Sequence, residues 1–220
     1  MGSVVEHLPY LLEAALMTVG LAAASIVLSA VMGLLGGILS VVGGRVLRLC
    51  FRAYVYAIRG TPILVQVFLV YFGLPFFGVR VSPYVVGILA ISFHMSAFVL
   101  EIVRGAILAI PSSQTEAALA LGMRPWLLTR RVLLPQAFIA ALPPYVSLLP
   151  VTVKATALAS VISIWELTFA SREIANRTLA TFETFGVAFA LYFLMCYPLS
   201  HLGSRLERRV LSSQQRVGAV

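Results

Sequence analysis

The chain alternates long uncharged stretches with short clusters of arginine and glutamate. A membrane-crossing helix needs about 20 mostly apolar residues. The interval from Glu13 to Arg45 encloses 31 uncharged residues and predicts a first span at 14–39. A second is predicted at 53–75, with Arg59 about two turns inside it. A third follows at 83–103, a fourth at 136–153 and a fifth at 184–204. Residues 155–165 are apolar but too short to cross, and read as a short or re-entrant helix. Pro143, Pro144 and Pro150 weaken the helix before them and predict a broken path lining a cavity. In span one, Ser25, Ser29, Gly33 and Gly37 recur at every fourth position, so one helix face permits close contact. Packing within the chain is the plainer use of such a face, and a seam between subunits is the other.

Composition agrees with the pattern. Of 220 residues, 60% are hydrophobic and 11% charged, whereas soluble domains carry about 25% charged residues. The expected fold is an all-α membrane protein with five transmembrane helices, forming one domain over 1–220. The net charge of +8 does not indicate nucleic acid, because the arginines flank apolar spans instead of forming one solvated face. The first 12 residues carry no Arg or Lys, so the basic start of a secretory signal is not expected. Cys50 and Cys196 sit in or beside apolar segments and are expected to be inert. Two cysteines and three scattered histidines have no metal-ligand spacing.

Lys and Arg mark the cytoplasmic side of a membrane protein. With the N-terminus outside, that side holds Arg45, Arg48, Arg52, Arg104, Arg124, Arg130, Arg131, Arg205, Arg208, Arg209 and Arg216. The opposite side holds Arg80, Lys154, Arg172 and Arg177. This asymmetry predicts an external N-terminus, a cytoplasmic C-terminus and a cytoplasmic loop at 105–135. Residues 205–220 read as a solvated tail.

The 105–135 loop is unlike the spans around it. Pro111 and Ser112-Ser113-Gln114-Thr115 offer N-cap chemistry for a helix starting near Glu116. Ala117, Ala118 and Ala120 keep that helix slim, and Gly122 ends it. A slim helix with a charged start suits a groove on a partner. An amphipathic helix lying on the membrane, anchored by Trp126, is the plainer reading.

Glu116-Ala117-Ala118, then Gly122, then Leu133-Leu134-Pro135-Gln136 resembles the coupling loop of ABC-importer permeases. Arg59-Gly60-Thr61-Pro62-Ile63-Leu64-Val65-Gln66, Glu101-Ile102-Val103-Arg104-Gly105, Pro143-Pro144 and Glu166-Leu167-Thr168 follow in order. Together they resemble the permease subunits of polar amino-acid ABC importers, over about residues 10–210. The resemblance implies a type I importer permease fold in a bacterial cytoplasmic membrane. It also implies two ATP-binding subunits that hold ATP and Mg, a second permease chain, identical or sibling, and an extracytoplasmic solute-binding protein. It assigns ATPase coupling to Glu116, Ala117, Ala118, Gly122 and Pro135. The chain departs from the family at His94, commonly Asn, at Phe98, commonly Tyr, and at Ser113, commonly Gly. It also reads Lys154-Ala155-Thr156-Ala157-Leu158 where the family commonly has Lys-Asp-Thr-Ser-Leu.

Ionisable groups at membrane depth are costly and mark function. Arg59, Gln66, His94, Glu101, Lys154 and Thr156 are therefore candidates for the substrate path. Each also has a structural reading. Arg59 can snorkel, His94 can be a satisfied core residue, and Glu101 can pair with Arg104 on one helix face. Lys154 can meet a substrate carboxylate or a glutamate of 166–183. The sole lysine is followed by Ala155, so no phosphate-binding Gly-Lys-Ser/Thr loop exists. No nucleophile–base set is visible either, so the chain is expected to be no enzyme and to hold no cofactor. An ion-driven transporter or channel is the rival expectation, disfavoured by the lack of a visible repeat. A membrane anchor that moves nothing is a third.

Overall fold

The computed structural model describes residues 6–217, with side chains over 6–210. Arg216 therefore falls outside the described side chains, and 218–220 outside the described residues. The described residues form helices and no strands. In chain order these are α1 (Leu8–Val42), α2 (Arg45–Arg59), α3 (Ile63–Phe76), α4 (Pro83–Leu108), α5 (Ser112–Ala120), α6 (Pro125–Leu128), α7 (Leu134–Ala155), α8 (Leu167–Thr178) and α9 (Thr181–Val217). A π-helical turn at Thr129–Leu133 joins α6 to α7, and a 3₁₀ segment at Thr156–Ile162 follows α7. Four segments are long and apolar enough to cross a membrane, five when the bent α2–α3 pair is counted as one span.

The main seam runs between α1 and α4, and small residues make it. A Cβ on Gly33 would lie 2.4 Å from the Val99 Cβ, and one on Gly37 2.6 Å from the Val103 Cβ. Ser25 and Ser29 are buried on the same stripe, and Ser92 donates to the Ser25 carbonyl. The small-residue face is thus packing within the chain, where backbones approach closely enough to replace the missing side chains with contact.

Span two is not one helix. α2 and α3 meet at a 106° bend over Gly60-Thr61-Pro62. Proline disfavours helical geometry in the residue before it, so Thr61 leaves the helix. Its hydroxyl turns back to the Ala57 carbonyl at 2.8 Å. Arg59 is accordingly the last residue of α2, not a residue two turns inside a span.

The prolines of span four do not break it. Pro143, Pro144 and Pro150 all lie inside α7. Pro143 and Pro150 are buried, and Ser147 closes on the α9 backbone at Gly203. Helix packing offsets the lost backbone hydrogen bonds, as neighbouring helices do in membranes. Ser147 also donates to the Pro143 carbonyl. The break comes later, where 3₁₀ geometry at Thr156–Ile162 packs against α3 and α4 through Ala159 and Ile162. The expected tail is helical as far as Val217, with Arg205, Glu207, Arg208 and Arg209 exposed on it.

Candidate functional site: the α5 loop and the α2–α3 bend

Two groups of candidate residues stand out. The first is the loop joining α4 to α7. Its helix begins at Ser112, with Pro111 in the cap position and no side-chain cap, so it starts four residues before Glu116. It ends as the sequence suggests. Gly122 adopts φ +73, its N–H bonds the Leu119 carbonyl, and the Met123 N–H bonds the Ala118 carbonyl. This pair of bonds is the Schellman motif, which satisfies the last carbonyls of a helix. Ala118 is buried, whereas Glu116, Ala117 and Leu119 are exposed and Leu121 is 83% exposed. One side of α5 therefore rests on the protein and the other presents a charge and two leucines.

A polar contact ties this helix to a membrane span. Gln136, in the first turn of α7, donates from Nε2 to Gln114 Oε1 at 2.5 Å and to the Val132 carbonyl at 3.0 Å. Pro135 stands beside it, exposed, on a cleft between α1, α4 and α7. The intervening π turn is held at its start by the Thr129 hydroxyl on the Pro125 carbonyl. π-helical turns commonly sit at functional positions.

The second group surrounds the α2–α3 bend. The Gln66 amide nitrogen donates to the Ile58 carbonyl at 2.8 Å and to the Thr61 hydroxyl at 2.8 Å. The Ile58 carbonyl is a helix-end group with no backbone partner inside α2. Fixing that nitrogen fixes the Gln66 oxygen as an acceptor, and it lies 3.0 Å from His94 Nδ1. The imidazole therefore donates from Nδ1. Phe98 lies one turn along α4, and the Arg59 guanidinium sits over its ring at 5.3 Å, a cation–π geometry. Arg59, Gln66 and His94 are thus brought together.

The remaining candidates lie apart. Glu101 accepts two bonds of 2.8 Å from Arg104, the bidentate ion pair that the spacing suggested. Lys154 is exposed and makes no ion pair among the described residues, so the expected pairing with a glutamate of 166–183 is absent there. Thr156 is fully buried and its hydroxyl bonds the Val153 carbonyl, leaving its proton committed to the helix end.

Sequence reasoning named Glu166 only as part of a motif and missed its role. It is fully buried, caps α8 through the Phe169 N–H at 2.7 Å, and accepts from the Tyr192 hydroxyl at 2.9 Å. Burial pushes its carboxyl above the ordinary range, against the Thr168 and Phe169 N–H groups that pull it down. A glutamate at an N-cap is a weak signal, so no local pattern announces this residue. The contact between Gln114 and Gln136 has no local signal either, because it depends on how α5 folds back.

Residues 25–212 match the family described as binding-protein-dependent transport system inner membrane component. The chain is 35% identical over 205 residues to the glutamine transport system permease protein GlnP of Escherichia coli (strain K12), covering 92% of this chain and 94% of that protein. It is 38% identical over 167 residues to the L-cystine transport system permease protein TcyB of Bacillus subtilis (strain 168), covering 76% and 71%. The crystal structure of an amino acid ABC transporter with histidines superposes with a TM-score of 0.86 at 34% identity, over 94% of this chain and 97% of that one. The fold is also that of the methionine ABC transporter MetNI, with a TM-score of 0.74 at 22% identity, over 91% and 95%.

Proposed function

Because this chain belongs to the family of inner membrane components of binding-protein-dependent transport systems, we propose that it is the permease subunit of an ATP-driven amino-acid importer. Hydrolysis of ATP falls to a separate subunit, which holds ATP and Mg, and substrate arrives from an extracytoplasmic binding protein. The relatives named for glutamine and L-cystine support the amino-acid class. Five crossings enclose too little for a path, so two permease chains, identical or sibling, share it. The arginine asymmetry supports an external N-terminus and a cytoplasmic α5.

The observation that carries this reading is the seat of α5. Its exposed side, with Glu116, Ala117, Leu119 and Leu121, suits a partner groove, while Gln114 is bonded to the first turn of α7. Motion of the partner passes from α5 through that bond and Pro135 into a membrane span. Alternating access then follows from two arrangements of packed helices, each favoured by a different nucleotide state. Gly122 and Pro135 act as fixed geometry in this scheme and not as chemical groups. Arg59, Gln66 and His94 at the α2–α3 bend, with Glu101, Lys154 and Thr156, are the residues proposed for the substrate path.

The test is uptake of labelled amino acids into proteoliposomes holding the complex. Uptake should require ATP and fall to background with Glu116→Lys while ATP hydrolysis and assembly persist. Uptake that survives without ATP and collapses with an ion gradient would overturn the reading.

A further inference from the structure

We infer that α2 carries a binding site for an anionic phospholipid, with the lipid phosphate held between Arg48, Arg52 and Arg104. The helix has three faces. Phe51, Val55 and Ile58 turn toward the protein, with Val55 and Ile58 buried. Val46, Leu49 and Tyr56 are 77%, 67% and 77% exposed, and with Ala53 they recur at i, i+3, i+7 and i+10, one continuous stripe. Arg45, Arg48, Arg52 and Arg59 recur at i, i+3, i+7 and i+14, and this stripe lies between the other two. Water does not suit the exposed apolar stripe and hydrocarbon does. A basic helix that carries such a stripe at a membrane face gains from anionic lipids.

A cavity of about 210 Å³ opens beside the arginine stripe, where the ends of α1 and α4 meet α2. Arg48, Arg52, Arg104 and Glu101 line it, with Phe51 and Leu108 among the apolar walls. Glu101 is committed to Arg104. Arg48 and Arg52 make no ion pair among the described residues. Three arginines and one glutamate line the cavity, so it has positive charge to spare. Basic pockets between helices at a membrane face take lipid head groups in this way. A phosphodiester fits Arg48, Arg52 and the Nη1 group of Arg104, which the pair with Glu101 does not use, and head-group hydroxyls can donate to Glu101, which points to the phosphatidylglycerol class. The acyl chains then lie along Val46, Leu49 and Tyr56.

The test is native mass spectrometry of the full-length chain, purified with the subunits that accompany it and titrated with phosphatidylglycerol or phosphatidylcholine. Wild type should retain phosphatidylglycerol in preference. Arg48→Gln with Arg52→Gln should weaken retention by roughly 10–30-fold, while Arg205→Gln with Arg208→Gln, which removes equal charge elsewhere, should leave it unchanged. Equal affinity of wild type for both lipids would overturn the site without any variant. So would equal losses in both double variants, or equally tight binding of free glycerol phosphate. A disulfide across two copies from Val46→Cys would also overturn it, since a second chain would then cover the apolar stripe. None of these readouts depends on transport.

Discussion

The side-chain amide of Gln136 donates to the side-chain oxygen of Gln114 at 2.5 Å, across 22 residues of chain. The bond joins the exposed helix α5 to the first turn of a membrane span. Its position matters more than its strength, because a neutral hydrogen bond contributes only about 1 kcal/mol net. Such a bond can transmit motion without much changing stability.

Gln136→Leu should therefore lower transport per ATP hydrolysed while shifting the midpoint of thermal unfolding little. Parallel measurement of uptake, phosphate release and melting separates these effects. A variant that loses hydrolysis and uptake in equal measure would assign Gln136 to assembly instead.

Gly122 occupies left-handed backbone at φ +73, where an L side chain costs about 1–2 kcal/mol. Asn tolerates that geometry and Val does not. Gly122→Asn should keep most uptake, and Gly122→Val should lose most of it with the membrane helices intact by circular dichroism. Equal activity in both would mean that the turn is not the element that matters.

The α1–α4 seam gives a sharp contrast between two glycines. Gly33→Ala forces a Cβ against Val99, whereas an added Cβ at Gly73 meets nothing within 4 Å. Overpacking of this kind costs about 1–3 kcal/mol. Gly33→Ala should lower the melting point in detergent, and Gly73→Ala should leave it level or raise it.

Glu166→Gln keeps a carbonyl oxygen for the Phe169 N–H or the Tyr192 hydroxyl, while Glu166→Ala abandons both. The Tyr192 hydroxyl keeps Thr168 as a partner, so loss of the cap and of one hydrogen bond together cost about 1–3 kcal/mol. Alanine should cut the yield of folded protein well below that of glutamine, read by fluorescence-detected size exclusion. Equal yields would remove Glu166 from the fold's polar core.

The sequence exposes the crossing segments because charge is expensive in a bilayer, so the gaps between Arg and Glu outline them. The same signal misled at span two. The charge gap after Arg59 hides a turn at Gly60-Thr61-Pro62, although proline after a polar residue is itself a boundary signal. The three prolines of α7 misled in the other direction, since local propensity yields to packing against α9. The loop around Gly122 was legible because its bonds are local. The contacts Gln136–Gln114, His94–Gln66 and Glu166–Tyr192 were not, since each joins residues that only the folded chain brings together.

The central claim is that the exposed side of α5 is the docking surface of the ATP-binding subunit. A single cysteine at Ala117 answers it most directly, in a background with Cys50 and Cys196 replaced by serine. A short thiol crosslinker applied to membranes should join that cysteine to the ATP-binding subunit, while a cysteine at Leu179, exposed at the end of α8, should not react with it. Crosslinking at Leu179 and none at Ala117 would contradict both the docking surface and the orientation of the chain.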